Sequence, residues 1–68
     1  MSVTEDEIEA AARKMAGQSM IDDGYGEHSR VTAERGEMWR NFRAMAIVAL
    51  EAAARVRANA NQTGGDGE

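Results

Sequence analysis

The sequence predicts an all-α protein: a two-helix antiparallel hairpin that dimerises into a four-helix bundle. Apolar residues recur at spacings of three and four in two separate stretches, the period of a helix face. Alanine supplies 13 residues and methionine 5, while proline is absent, which favours uninterrupted helices. Leu, Ile, Val and Phe number only nine among 68 residues. A chain so short has apolar burial that roughly balances its conformational entropy. With no cysteine for a disulfide and no Cys/His cluster for a structural metal, self-association or a partner must supply the remaining stability.

The first helix is expected from about Thr4 to Gly17, or on to Ile21. Ser2 and Thr4 are each followed three residues later by an acid, Glu5 and Glu7, the spacing of a capping box. Glu5, Asp6, Glu7 and Glu9 place negative charge where the helix dipole favours it, and Glu9 can pair with Arg13 one turn on. Ile8, Ala11, Ala12, Met15 and Ala16 form a narrow, alanine-lined face that lets another helix approach closely. Gly17 weakens the helix by about 1 kcal/mol relative to Ala.

Residues 22–32 read as the connection. Asp22, Asp23, Gly24 and Gly26 are turn formers, and Glu27-His28-Ser29-Arg30 shows no period. A second helix then runs from about Ala33 to Ala58, with Thr32 as its cap. Met38, Phe42, Met45, Ala49, Ala52 and Val56 step by four and three, and Trp39, Ala46, Leu50 and Ala53 make a second stripe beside them. This face is wider than one neighbouring helix can cover, so something else must cover the rest. The polar, glycine-bearing segment 59–68 is expected to be disordered.

Charge divides along the chain. Residues 1–29 carry a net −5, residues 30–57 a net +3 and the rest −2, giving −4 overall and an acidic protein. In a hairpin the acidic start of the first helix would lie near Arg55 and Arg57. No apolar run approaches the roughly 18 residues of a membrane span, and the N-terminus Met1 to Glu7 is acidic where a targeting peptide would be basic. A cytoplasmic protein without membrane contact is expected.

Candidate chemistry is sparse. Asp22, Asp23 and Glu27 lack the spacing and closing Glu of a calcium loop, and Gly24-Tyr25-Gly26 lacks the Lys-Ser/Thr ending of a phosphate loop. His28 is the single histidine, with no oxyanion signature near Ser2, Ser19 or Ser29. No enzymatic activity, cofactor or metal is expected, although the Asp22–His28 segment keeps a ligand site as one hypothesis. Arg35, Arg40 and Arg43, with Trp39 able to stack on a base, could form a nucleic-acid face. The overall acidity disfavours it. Met38, Trp39, Phe42, Met45, Ala49, Leu50 and Val56 are the expected interface, because aromatics and Met give large contact area while alanine permits close approach.

The succession Ile8-Glu9-Ala10-Ala11-Ala12-Arg13, a glycine-bearing middle, then Trp39-Arg40, Arg43-Ala44 and Ala49-Leu50-Glu51-Ala52-Ala53 resembles short Ala/Arg-rich helical proteins of phages and prophages of GC-rich bacteria. The likeness spans most of residues 5–54. That group carries no agreed activity and no catalytic residues to transfer. It implies a small phage-type accessory protein or an inhibitor of a host protein, acting by occupying a surface. The reading from sequence is therefore a protein–protein interaction module working as a homo-oligomer, expected to be a dimer, with nucleic-acid binding as the alternative.

Overall fold

A computed structural model describes the backbone of residues 3–67 and the side chains of residues 3–60. The all-α class holds, with no strand among the described residues, but there are three helices and not two. Helix α1 spans Glu5–Asp22, α2 Glu27–Arg35 and α3 Arg43–Gly67, and a 3-10 segment at Met38–Phe42 leads into α3.

Helix α1 begins with the capping box its sequence announces. The Thr4 hydroxyl accepts from the Glu7 backbone N–H at 3.2 Å, and Glu7 Oε1 accepts from the Thr4 N–H at 2.9 Å. It continues through Gly17 and closes on Asp23. The Gly24 N–H donates to the Ile21 carbonyl and the Tyr25 N–H to the Met20 carbonyl, both at 3.0 Å. This double closure requires a left-handed residue, which Gly24 supplies at φ 95° without the penalty a Cβ would carry.

The chain therefore turns in four residues, 23–26, and the expected long connection is mostly helix α2. Its first residues lack an apolar period because they are held by charge. Arg30 pairs with Glu27 at i,i+3 and, at 2.5 Å, with Glu34 at i,i+4. Nine residues are too few for a helix to persist alone in water. Packing on α1 supplies the rest, with Ala12, Ala16 and Gly17 buried on α1 and Ala33 buried on α2.

The second expected helix starts about ten residues late, because Gly36 ends α2 and residues 38–42 wind as a 3-10 turn. Residues three apart eclipse in that geometry. Trp39 and Phe42 thus face the same way, onto the cluster of Ile8, Ala12 and Ala46 that Val3, Ala11, Met15, Ile47 and Leu50 complete. Helix α3 then runs along and past the start of α1 in a body measuring 47 × 22 × 13 Å. It includes residues 59–67, where the composition predicts disorder; Asn59 and Ala60 are helical and exposed, and Glu68 and the side chains of 61–67 lie outside the described residues.

Candidate interaction surface

One side chain, Arg13, ties α1 to both the end of α2 and Trp39. Arg13 projects from α1 and donates from Nη1 to the carbonyls of Glu34 at 2.9 Å and Gly36 at 3.0 Å, the exposed end of α2. Its other nitrogens bind Glu9 at 2.9 and 2.7 Å, the pair the sequence predicts, and its guanidinium lies 5.5 Å from the Trp39 ring centroid. A cation is well placed against unpaired carbonyls at a helix C-terminus. Arg13 therefore fixes where α2 stops, where Trp39 sits and hence the direction in which α3 leaves.

The expected interface residues divide between two sides of the structure. Trp39, Phe42 and Leu50 pack on the intramolecular cluster, and Met38 is half-buried. Met45 and Val56 are 59% and 66% exposed, and Ala49 is exposed as well. Periodicity joins Phe42 to Met45 and Ala49 on one face only if a single α-helix runs through them; the 3-10 segment breaks that phase at Arg43. Val48 and Ile47, which the sequence reading has widening the apolar face, part in the same way: Val48 is 68% exposed on the outer face and Ile47 packs on the cluster.

On α3 the i,i+4 row Ala46–Leu50–Ala54 is buried or half-buried. Val48, Ala52 and Val56 form the row on the opposite side, at 100° per residue. Met45, Ala49 and Ala53 flank that row on one edge, Glu51 and Arg55 on the other, and all of these are exposed. The result is an uncovered apolar strip roughly 17 Å long. The total accessible area is 4966 Å². A compact monomer of this mass exposes only about 4,200 Å². The excess, about 750 Å², reflects the elongated body and the length of α3 that extends past α1, of which the strip is one part.

The arginines of the nucleic-acid alternative are largely engaged. Arg43 binds Glu5 at 2.7 Å, so the acidic start of α1 meets the beginning of α3 and not Arg55 and Arg57, which lie in the middle of α3, as the hairpin reading expects. Arg40 binds Glu37 at 2.7 Å and lies 5.7 Å from the Trp39 ring centroid. Trp39 thus carries Arg13 and Arg40 against it where a base would have to stack. Arg35 is exposed and forms no ion pair among the described residues.

The Asp22–His28 segment is spread over the end of α1 and the start of α2. No group of three metal-ligating side chains gathers among the described residues. His28 borders an open groove with Met20, Ala33, Glu37 and Met38, while Glu27 turns to Arg30. The hydrogen bond from Arg30, opposed by desolvation and aided by the charges of Arg30 and Lys14, holds the Glu27 carboxyl below its ordinary 4.5. A lowered carboxyl stabilises the fold above pH 4.5, and that contribution is lost as pH falls through the lowered value. Arg30 is raised in turn by Glu27 and Glu34, so its charge persists at all accessible pH and the carboxylate is the partner whose titration ends the pair. Hydrogen exchange should therefore show α2 of Glu27→Gln opening more often than wild type at neutral pH. The two proteins should converge once pH has fallen through the lowered value, below 4.5; an offset that persists after that would place the effect elsewhere than in this charge.

No helix among the described residues is long and apolar enough to cross a membrane. No protein family, curated protein or solved structure matches the chain.

Proposed function

We propose that the chain is a small non-enzymatic protein–protein interaction module that acts through a helical oligomer, with its contact surface on α3. The uncovered apolar strip from Met45 to Val56 carries this reading. An apolar face of that extent, beside a core of mostly alanine, gains most from being covered by another protein surface. A homodimer would bring two α1–α3 pairs together along α3, with the four helices in a row and α3 against α3, in place of the bundle around one shared core that the hairpin reading expects. Its role, on the resemblance read from the sequence, would be that of a small phage-type accessory protein or an inhibitor of a host protein. The nucleic-acid alternative is left with Arg35 and whatever arginines can abandon their acidic partners.

Solution mass measured by light scattering across a concentration series tests this. Wild type is expected at twice the 7.4 kDa of one chain. Val56→Asp should keep its helicity, since Val56 is exposed, yet dissociate about a hundredfold more readily, roughly 1.4 kcal/mol for each copy of the charge forced into the seam. Phe42 cannot serve as the probe, because it packs inside the chain. A wild-type monomer at every concentration would remove the oligomer from the reading.

A further inference from the structure

The geometry points to a second copy of this chain as the occupant of the α3 strip, packed antiparallel about a two-fold axis at Ala52. The inference rests on the interaction-module reading and adds to it a partner, an orientation and a register.

An antiparallel two-fold turns each edge of the strip onto its own copy in reverse order. Centred on Ala52, it sets Val48 against Val56 of the second copy and Ala52 against Ala52. Each valine lies four residues, about 6 Å, from the axis, so the two rows match without offset. Alanine at the centre and at Ala49 lets the helices approach closely, so the valines on either side can meet.

Charge selects the orientation. Glu51 and Arg55 share one edge of the strip, both exposed, and neither forms an ion pair among the described residues even though their i,i+4 spacing permits one. They border a shallow depression with Ala54 and Ala58 instead. In the antiparallel pair the charges along this edge run Arg55, Glu51, Glu51, Arg55 at axial steps of about 3 Å, so that each Glu51 has the other copy's Arg55 within reach and the two pairs outweigh the single contact between the glutamates. A parallel pair would set this edge against the Met45–Ala49–Ala53 edge, leaving both charges without partners. Opposed helix dipoles favour the antiparallel arrangement as well. The body of each copy, α1 and α2, lies beyond the Ala46–Leu50–Ala54 side of α3 and so stays clear of the seam.

The chain has no cysteine, which allows site-specific cross-linking without background. Under mild oxidation, a mixture of Val48→Cys and Val56→Cys chains should yield the mixed covalent dimer, whereas Val48→Cys alone should give almost none. Separately, E51R and R55E should each weaken dimerisation at least about tenfold, since the repulsion occurs twice, and the double variant E51R/R55E should return to within about threefold of wild type. Efficient cross-linking of Val48→Cys alone, or no rescue by the charge swap in a protein that still dimerises, would overturn the antiparallel register while leaving the oligomer intact. A strictly monomeric wild type would overturn both.

Discussion

Replacing Arg13 with Ala is expected to lower the unfolding free energy by about 2–3 kcal/mol. For a domain of this size that is a fall of roughly 10–20 °C in melting temperature. Two charge-assisted bonds to the end of α2 disappear together, at 2.9 and 3.0 Å, leaving the Glu34 and Gly36 carbonyls to water. The contact with Trp39 and the pair with Glu9 go with them. Arg13→Lys keeps the charge and one nitrogen for the two carbonyls, but it lacks the further nitrogens that bind Glu9 at the same time and the flat face that lies against Trp39, so it should recover less than half of the loss. Thermal melts by circular dichroism at a fixed chain concentration measure this; the concentration must be fixed because association adds to apparent stability. An Arg13→Ala protein melting within a few degrees of wild type would mean that α2 is held by its packing alone.

That one residue shows where the sequence was legible and where it stopped. Local signals could be read directly: the capping box at Thr4 and Glu7, the Glu9–Arg13 pair and the helical class all follow from neighbours three or four residues apart. The bonds from Arg13 to residues 34 and 36 span more than twenty positions, and periodicity holds no information about them. Helix α2 escaped the apolar pattern because Arg30 bridges two glutamates to support it, and a run of polar residues with glycines on both sides looks like a loop. Periodicity puts Phe42 and Met45 on one face because the 3-10 segment before α3 is invisible to a count that assumes a constant helical period. The broad apolar face was legible, and so was the need for something to cover it. Which half faces inward depended on the phase at Arg43, and only the folded arrangement supplies that phase.

Gly17 offers a test of how closely α1 and α2 are packed, and its expected effects depend on a residue seventeen positions away. A Cβ built on Gly17 would come within 2.6 Å of both Glu34 Cγ and Glu34 Oε2. Because Cγ lies near the root of that side chain, rotating the carboxylate alone does not clear the space. Glu34 must change rotamer and give up Arg30 at 2.5 Å and Lys14 at 3.5 Å, or α2 must move outward. Gly17→Val, which adds bulk that neither adjustment absorbs, should cost about 2 kcal/mol. Gly17→Ala gains about 1 kcal/mol in helix propensity and loses a similar amount to Glu34, so alone it should be nearly neutral. In a Glu34→Ala background the obstacle is gone, and the same Gly17→Ala change should stabilise by about 1 kcal/mol. A double-mutant cycle over these two positions should therefore show a coupling of about 1 kcal/mol. Additive effects would show that Glu34 does not fill the notch above Gly17, and the close approach of the two helices would then have to rest on alanine alone.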